Sequence, residues 1–295
     1  MSEIFGIPVP VLAGQLMLGL VNGSFYAMLS LGLAVIFGLL NVINFSHGTM
    51  YMMGAYAAWM LMNWLGVGYW WSLAIVPVVM ALVGIAVERL FLRWIYHLDH
   101  LYGLLLTIGF AWVMEGVYRD QFGSGGQSYP APDSLAGVTD LGFMILPDYR
   151  GWVVLASLGT CFATWYLIER TRLGAYLRAA TENPRIVQAF GINVPLMLTL
   201  TYGFGIALAG LAGVLAAPVI QVTPLMGSNV IIVVFAVVVI GGLGSILGAI
   251  VSGIALGLLE GLTKVLYPEA SSTVVFVVMA LVLLFKPAGL FGKEE

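Results

Sequence analysis

The sequence predicts an all-α polytopic membrane protein in which about eight to nine transmembrane or broken helices pack as one bundle, a single transmembrane domain over residues 1–295. Three observations carry that expectation. The chain is 61% hydrophobic and only 8% charged, with a mean hydropathy of +1.03, whereas a soluble globule carries roughly a quarter charged residues. Its apolar residues fall in runs close to the ~20 that a helix needs to cross a bilayer. Its basic residues gather in a few polar segments, as they do in loops kept on the cytoplasmic side.

The opening MSEIFGIPVP has no basic stretch and no small-residue cleavage site, so a cleaved signal peptide is not expected. The first apolar run, Val11 to Leu40, fits one long tilted span or two short ones; one span, with its N-terminus outside, is preferred. The stretch LLNVINFSHGTMYMMGAY then sets Asn41, Asn44, Ser46 and His47 between two apolar runs, with Asn22, Ser24 and Tyr26 one segment earlier. Polar groups inside a membrane are costly and therefore functional candidates, so Asn22, Asn41, Asn44, Ser46 and His47 are the candidates for a solute path. Two arrangements fit the pattern: a short turn at the membrane face, or a broken helix lining a polar path. Carboxamides and a hydroxyl suit a zwitterion that must be released quickly, because they bond either end without the grip of a full countercharge.

Further spans are expected at Thr49 to Leu65, Tyr69 to Val87, Leu101 to Tyr118 and Tyr149 to Ile168. Residues 119–148 form a polar loop with Asp120, Asp133, Asp140 and Asp148 among Gly, Ser and Pro. At about thirty residues it exceeds the length a connection requires, and it reads as a solvated linker or as a docking surface. Glu115 lies one turn before Arg119 and can pair with it. The single Cys161 stands in an apolar run, which excludes disulfides within the chain and points to packing.

Residues 169–193, ERTRLGAYLRAATENPRIVQAFGIN, are the longest polar run and hold Arg170, Arg172, Arg178 and Arg185. Asn183 followed by Pro184 reads as an N-cap with proline at the first helical position. Gly191 suits a left-handed residue just past the helix end. The helix so defined is about two turns, too short to be stable alone, and must pack on something, for which another protein is one option. Four more spans complete the chain: Leu196 to Ala217, Asn229 to Leu247, Gly248 to Leu262 and Thr273 to Phe285. Gly253, Gly257 and Gly261 recur every four residues and are expected to serve close helix packing. The run GGLGSILG is dense enough in glycine for a broken or bent helix, and Glu260 is expected near the outer interface. With residues 169–193 inside, alternation sets Arg89, Arg93, the four arginines, Lys286 and Lys293 on the inner side, against Arg119, Arg150 and Lys264 outside.

Several chemistries are unsupported. The formal charge of -3 gives no basis for nucleic-acid binding. There is no phosphate-binding loop of the G-x-x-x-x-G-K-[ST] type, no H-E-x-x-H and no cluster at metal-ligand spacing. His97 and His100 are read as facing water on an inner loop. No enzyme activity, cofactor or metal is expected.

Three stretches together resemble the LivH-type permease of branched-chain amino acid ABC importers: GLVNGSFYAMLSLGLAVIFGLLNVINFSHGTMYMMGAYAAW, LGAYLRAATENPRIVQAFGIN and VVVIGGLGSILGAIVSGIALGLLE. The resemblance spans nearly the whole chain, and the order of INFSHG, the loop with Arg178, Asn183, Ala189 and Gly191, and GGLGS is specific. It implies a multi-pass subunit of the bacterial cytoplasmic (inner) membrane with no ATPase of its own. The implied partners are a second similar permease, two cytoplasmic ATP-binding subunits and an extracytoplasmic substrate-binding protein, with membrane lipid around the subunit. Residues 169–193 then correspond to the family's coupling segment, with Arg178, Glu182, Asn183, Pro184, Ala189, Gly191 and Asn193 as its coupling residues. Members often carry an acid directly after the His-Gly pair, where this chain has Thr49. Relatives in the family are associated with urea, amides or aromatic acids as well as branched-chain amino acids. An ion-coupled secondary transporter is the alternative; it would be expected to show charges well inside the spans, and these are nearly absent. A structural scaffold would have no need of the INFSHG break.

Overall fold

A computed structural model describes residues 3–4, 7–40, 42–96 and 98–292. Asn41, His97 and Lys293, each assigned a place above, lie outside the described residues. Two short strands, β1 (Glu3–Ile4) and β2 (Ile7–Pro8), pair antiparallel ahead of the bundle. The helices follow as α1 (Val9–Leu40), α2 (His47–Leu65), α3 (Tyr69–Leu90), α4 (His100–Phe122), α5 (Asp148–Arg170), α6 (Arg172–Glu182), α7 (Pro184–Ala189), α8 (Val194–Ala216), α9 (Met226–Gly241), α10 (Ile246–Leu266) and α11 (Val274–Phe285). Six are long and apolar enough to cross a membrane: α1, α3 with its C-terminal extension, α4, α5, α8 and α10. With α2, α9 and α11 they make the multi-pass bundle expected from composition. The first apolar run is one helix; its 32 residues span about 48 Å at 1.5 Å per residue, well beyond a ~30 Å hydrocarbon core.

Small residues set the packing, as they do where lipid gives no hydrophobic drive between helices. α1 and α10 run antiparallel, Gly19 and Gly23 of α1 facing Gly257 and Ile254 of α10; a Cβ added at Gly23 would lie 3.0 Å from Ile254 Cα. α8 is the centre of the bundle. Gly205 packs on Ile36 of α1, Gly210 on Met80 of α3, and Gly213 between Tyr51 and Ala55 of α2. α4 stands at the periphery and touches α2 mainly through aromatic pairs, Tyr118 and Phe122 on Tyr56 and Phe122 on Trp59.

The two ends of the bundle differ in charge. Arg89 and Arg93 share one cavity with α7, whereas Arg150 and Lys264 share another; these are the arginine-rich end and the loop end. Residues 123–147 at the loop end fold a small hairpin, β3 (Val138–Asp140) with β4 (Ile145–Pro147), and Gln127 exchanges both backbone hydrogen bonds with Val222 (2.9 and 3.0 Å), fastening this loop to the chain just before α9.

One boundary departs from the sequence reading. The junction between the last glycine-rich helices falls at residues 242–245, not at Leu247 and Gly248. Gly242 and Gly244 take φ of 99° and 82°, a left-handed region that ends a helix, and Ser245 Oγ then accepts from Gly248 N (3.1 Å) as the N-cap of α10. A ruler of apolar residues is blind to such a stop. The packing that so short a helix as α7 requires comes in part from the same chain: its Val187 is buried with Ala180 and Val194.

Candidate functional site

The break between α1 and α2 is buried within the bundle. Asn44 organises it: its Oδ1 accepts from Ser46 Oγ (2.6 Å) and Ser46 N (3.1 Å), and its Nδ2 donates to Tyr202 OH (3.1 Å). Phe45 N donates to Thr107 Oγ1 (3.2 Å). His47 begins α2, fully buried, with Nε2 3.1 Å from Leu29 O. Tyr202 lies eight residues into α8 and Thr107 seven into α4, so the break sits about 10–12 Å deep from those helix ends at 1.5 Å per residue. The first turn of α2 there meets the first turn of α9, Gly48 against Gly227. Two helices thus start at a similar depth in the interior, the arrangement that discontinuous helices use beside a polar site.

Beside these two starts lies a cavity of about 360 Å³ between α1, α2, α9 and the extended segment before α9. Its polar lining is Asn22, Tyr26, Tyr51, Gln221, Thr223 and Asn229. Among the described residues, the side chains of Asn22, Gln221, Thr223 and Asn229 make no hydrogen bond, so their donors and acceptors are free for a solute. Tyr26 OH donates to Glu260 Oε2 (2.9 Å), and Glu260 pairs with Lys264 (2.6 Å). No formal charge lines the cavity itself. Toward the arginine-rich end, α9 is tied to α1 by Ser30 Oγ donating to Val234 O (3.3 Å) and to the break by Phe45 stacking on Phe235 with centroids 5.4 Å apart. Toward the loop end, Asn22 is shared with a second cavity of about 250 Å³ lined by Gln15, Arg150 and Lys264.

The sequence candidates therefore separate. Asn22 lines the cavity. Asn44, Ser46 and His47 are buried behind it and do not, and Asn41 lies outside the described residues. Gln221, Thr223 and Asn229 were not singled out from sequence; Asn229 starts an apolar run and the other two stand in a short connection, so only the approach of α9 to α1 gives them a shared surface. Two carboxylates also have partners that the sequence did not give. Glu88, assigned to an inner loop, is 2% exposed and accepts from Tyr96 OH (3.1 Å) and Thr199 Oγ1 (2.9 Å); burial and the neighbouring carboxylate push the Tyr96 phenol well above its usual range. Glu115 pairs with Arg119 (2.8 Å) as the spacing allowed, and also accepts from Ser228 Oγ of α9 (2.6 Å).

The second candidate region is residues 169–193. α6 is anchored to α5 by Arg178, whose Nη1 donates to Ile168 O (2.8 Å). Glu182 ends α6, exposed. Asn183 Oδ1 accepts from Ile186 N (3.2 Å), Pro184 takes the first turn of α7, and Gly191 after Ala189 and Phe190 has φ 82°. Asn193 repeats the device, accepting from Leu196 N (3.1 Å) at the start of α8. Each cap satisfies a backbone N–H that the helix leaves without a partner. The result is a rigid two-turn helix with one side buried through Val187 and the other presenting Ile186 (54% exposed) and Phe190 (80% exposed) to the surroundings.

Comparison with known proteins gives a consistent picture. Residues 15–283 match the model of a family described as branched-chain amino acid transport system / permease component. The chain is 30% identical over 294 residues to the high-affinity branched-chain amino acid transport system permease protein LivH of Escherichia coli K12, covering 95% of this chain and 96% of that one. It is 29% identical over 297 residues to the corresponding protein BraD of Pseudomonas aeruginosa, with the same coverage. The ribose import permease protein RbsC of Escherichia coli K12 is 32% identical over 161 residues, about half of each chain. No solved structure matches this chain.

Proposed function

We propose a function from one premise: the chain belongs to the family of branched-chain amino acid transport system permease components. It is a multi-pass inner-membrane transport protein, and its relatives are permease subunits rather than enzymes. On this reading it forms part of the translocation path of an ABC importer for branched-chain or related amino acids, driven by ATP hydrolysis on partner subunits. Those partners are a second similar permease, two cytoplasmic ATP-binding subunits and an extracytoplasmic substrate-binding protein.

The observation that carries the reading is the cavity at Asn22, Gln221, Thr223 and Asn229, which offers unpartnered hydrogen-bonding groups and no full charge. A zwitterion that leaves water inside a membrane must replace hydrogen bonds worth several kcal/mol each, and these side chains supply replacements without trapping it. With the arginine-rich end facing the cytoplasm, the cavity is open toward the outside, where Arg150 in the adjoining cavity attracts a carboxylate while Lys264 is held by Glu260. Asn44, Ser46 and His47 then act as positioning residues, fixing the start of α2 beside the path. α7 is the contact for an ATP-binding subunit, with Asn183, Pro184 and Gly191 giving its shape and Ile186 and Phe190 its contact face. An uncharged lining also suits urea or an amide. Uptake by the reconstituted complex decides: saturable, ATP-dependent entry of leucine, weakened in Asn22→Leu and Asn229→Leu, supports the reading, and transport of urea without transport of leucine overturns the amino acid assignment.

A further inference from the structure

A further cavity, of about 560 Å³, lies at the arginine-rich end, between the end of α3 and the face of α7 formed by Pro184 and Gln188. Arg89, in the last turn of α3, and Arg93, in the 3-10 turn Leu92–Trp94 that follows it, both line it, and neither has an ion-pair partner among the described residues. The acid in its wall, Glu88, has its two oxygens engaged by Tyr96 and Thr199. Two unpaired guanidiniums in the wall of one cavity suit a phosphate, which a planar fork binds through paired hydrogen bonds.

The adjoining face of the same α3 end is apolar. Val87, Phe91 and Leu92 there meet Leu105, Gly109 and Phe110 of α4 across a mainly apolar cleft of about 420 Å³, whose polar lining side chains are Ser46 and Thr107 of the break. Leu90, Phe91 and Trp94 are also exposed, as expected of side chains at a membrane interface. A phosphate pocket and an acyl-sized cleft on adjacent faces of one helix end, in a membrane protein, call for an amphiphile with an anionic head. We propose that this is a binding site for an anionic phospholipid, its phosphodiester held by Arg89 and Arg93 and one acyl chain lodged between α3 and α4. Docking of a partner on α7 leaves it open, since Pro184 and Gln188 point into the cavity while Ile186 and Phe190 point away from it.

The test is native mass spectrometry of the complete complex after exchange into defined mixtures of phosphatidylglycerol and phosphatidylcholine. Phosphatidylglycerol should be retained in preference. Each basic residue near a membrane surface contributes about fivefold to such binding, so R89Q/R93Q should lower retention about 25-fold, while K286Q, a charge at the same end but off the cavity, should leave it within twofold. Gly109→Phe fills the apolar cleft from a position with no neighbour within 4 Å and should lower retention with both arginines intact. Equal retention of the two lipids, or unchanged retention in R89Q/R93Q and Gly109→Phe, overturns the proposal. So does displacement of the lipid by millimolar inorganic phosphate, which would mark a site for a soluble anion. If R89Q/R93Q does not assemble, the wild-type preference and Gly109→Phe decide alone.

Discussion

Val187 lies within α7 and Phe190 just past its end, three residues on, yet their truncations should separate cleanly. Phe190 is 80% exposed in the permease alone, so Phe190→Ala removes nothing from its own packing; any effect belongs to a complex. A phenylalanine side chain carries about 150–250 Å², and covering four-fifths of ~200 Å² at about 25 cal/mol/Å² would be worth ~4 kcal/mol at most. With half of that realised, affinity for the ATP-binding subunits should fall by about 2 kcal/mol, roughly thirtyfold. Val187, 6% exposed against Ala180 and Val194, should behave in the opposite way. Val187→Ala deletes two buried methyl groups and should cost ~1–2 kcal/mol of the segment's own stability. The assay is surface plasmon resonance of the ATP-binding subunits on nanodisc-held permease, paired with thermal unfolding of the permease alone. A loss under threefold for Phe190→Ala, or a fall in its own unfolding temperature matching that of Val187→Ala, would refute the assignment of α7 as a docking knob.

Gly191→Val places a β-branched residue at φ 82°, at a cost of about 1–2 kcal/mol, and should reduce ATPase stimulation while leaving the bundle folded, as read by coupled ATPase assay and circular dichroism. Asn44→Leu leaves Tyr202 OH and Ser46 without their buried partner, so the permease should lose about 1–3 kcal/mol, measured by thermal unfolding in detergent. Asp133 and Asp140 are exposed on the hairpin side of residues 119–148; stimulation by the substrate-binding protein should weaken in Asp133→Asn/Asp140→Asn at low salt and converge with wild type as salt rises, since screening acts over about 8 Å at 0.15 M.

Features set by local chemistry were legible before any coordinates. Asn183, Pro184 and Gly191 define α7 because capping and positive φ are decided within a few residues, and the pairing of Glu115 with Arg119 follows from one helical turn. Close packing through Gly253, Gly257 and Gly261 was also readable, though the partner, Gly19 and Gly23 of α1, was not. The depth of the INFSHG break was hidden because it depends on how far α1 runs past the start of α2, a register fixed by Gly32, Gly205 and Gly227 from three other places in the chain. The cavity lining was hidden for a similar reason: Asn22, Gln221, Thr223 and Asn229 share no periodicity and meet only when α9 folds onto α1. Glu88 misled because a charge at the end of an apolar run reads as loop, whereas Tyr96 and Thr199 draw it inside.

The most direct test of a solute path through this cavity is single-cysteine labelling in a Cys161→Ala background, using a small polar thiol reagent on the assembled complex in vesicles of known orientation. Asn22→Cys, Thr223→Cys and Asn229→Cys should react from the loop side and be protected by leucine delivered on the binding protein, whereas Ser46→Cys, buried behind Asn44, should stay unreactive in the same state. Labelling of Ser46→Cys with leucine protection, while Asn22→Cys and Asn229→Cys react without any protection, would place the path behind α2 and contradict the one through Asn22 and Asn229.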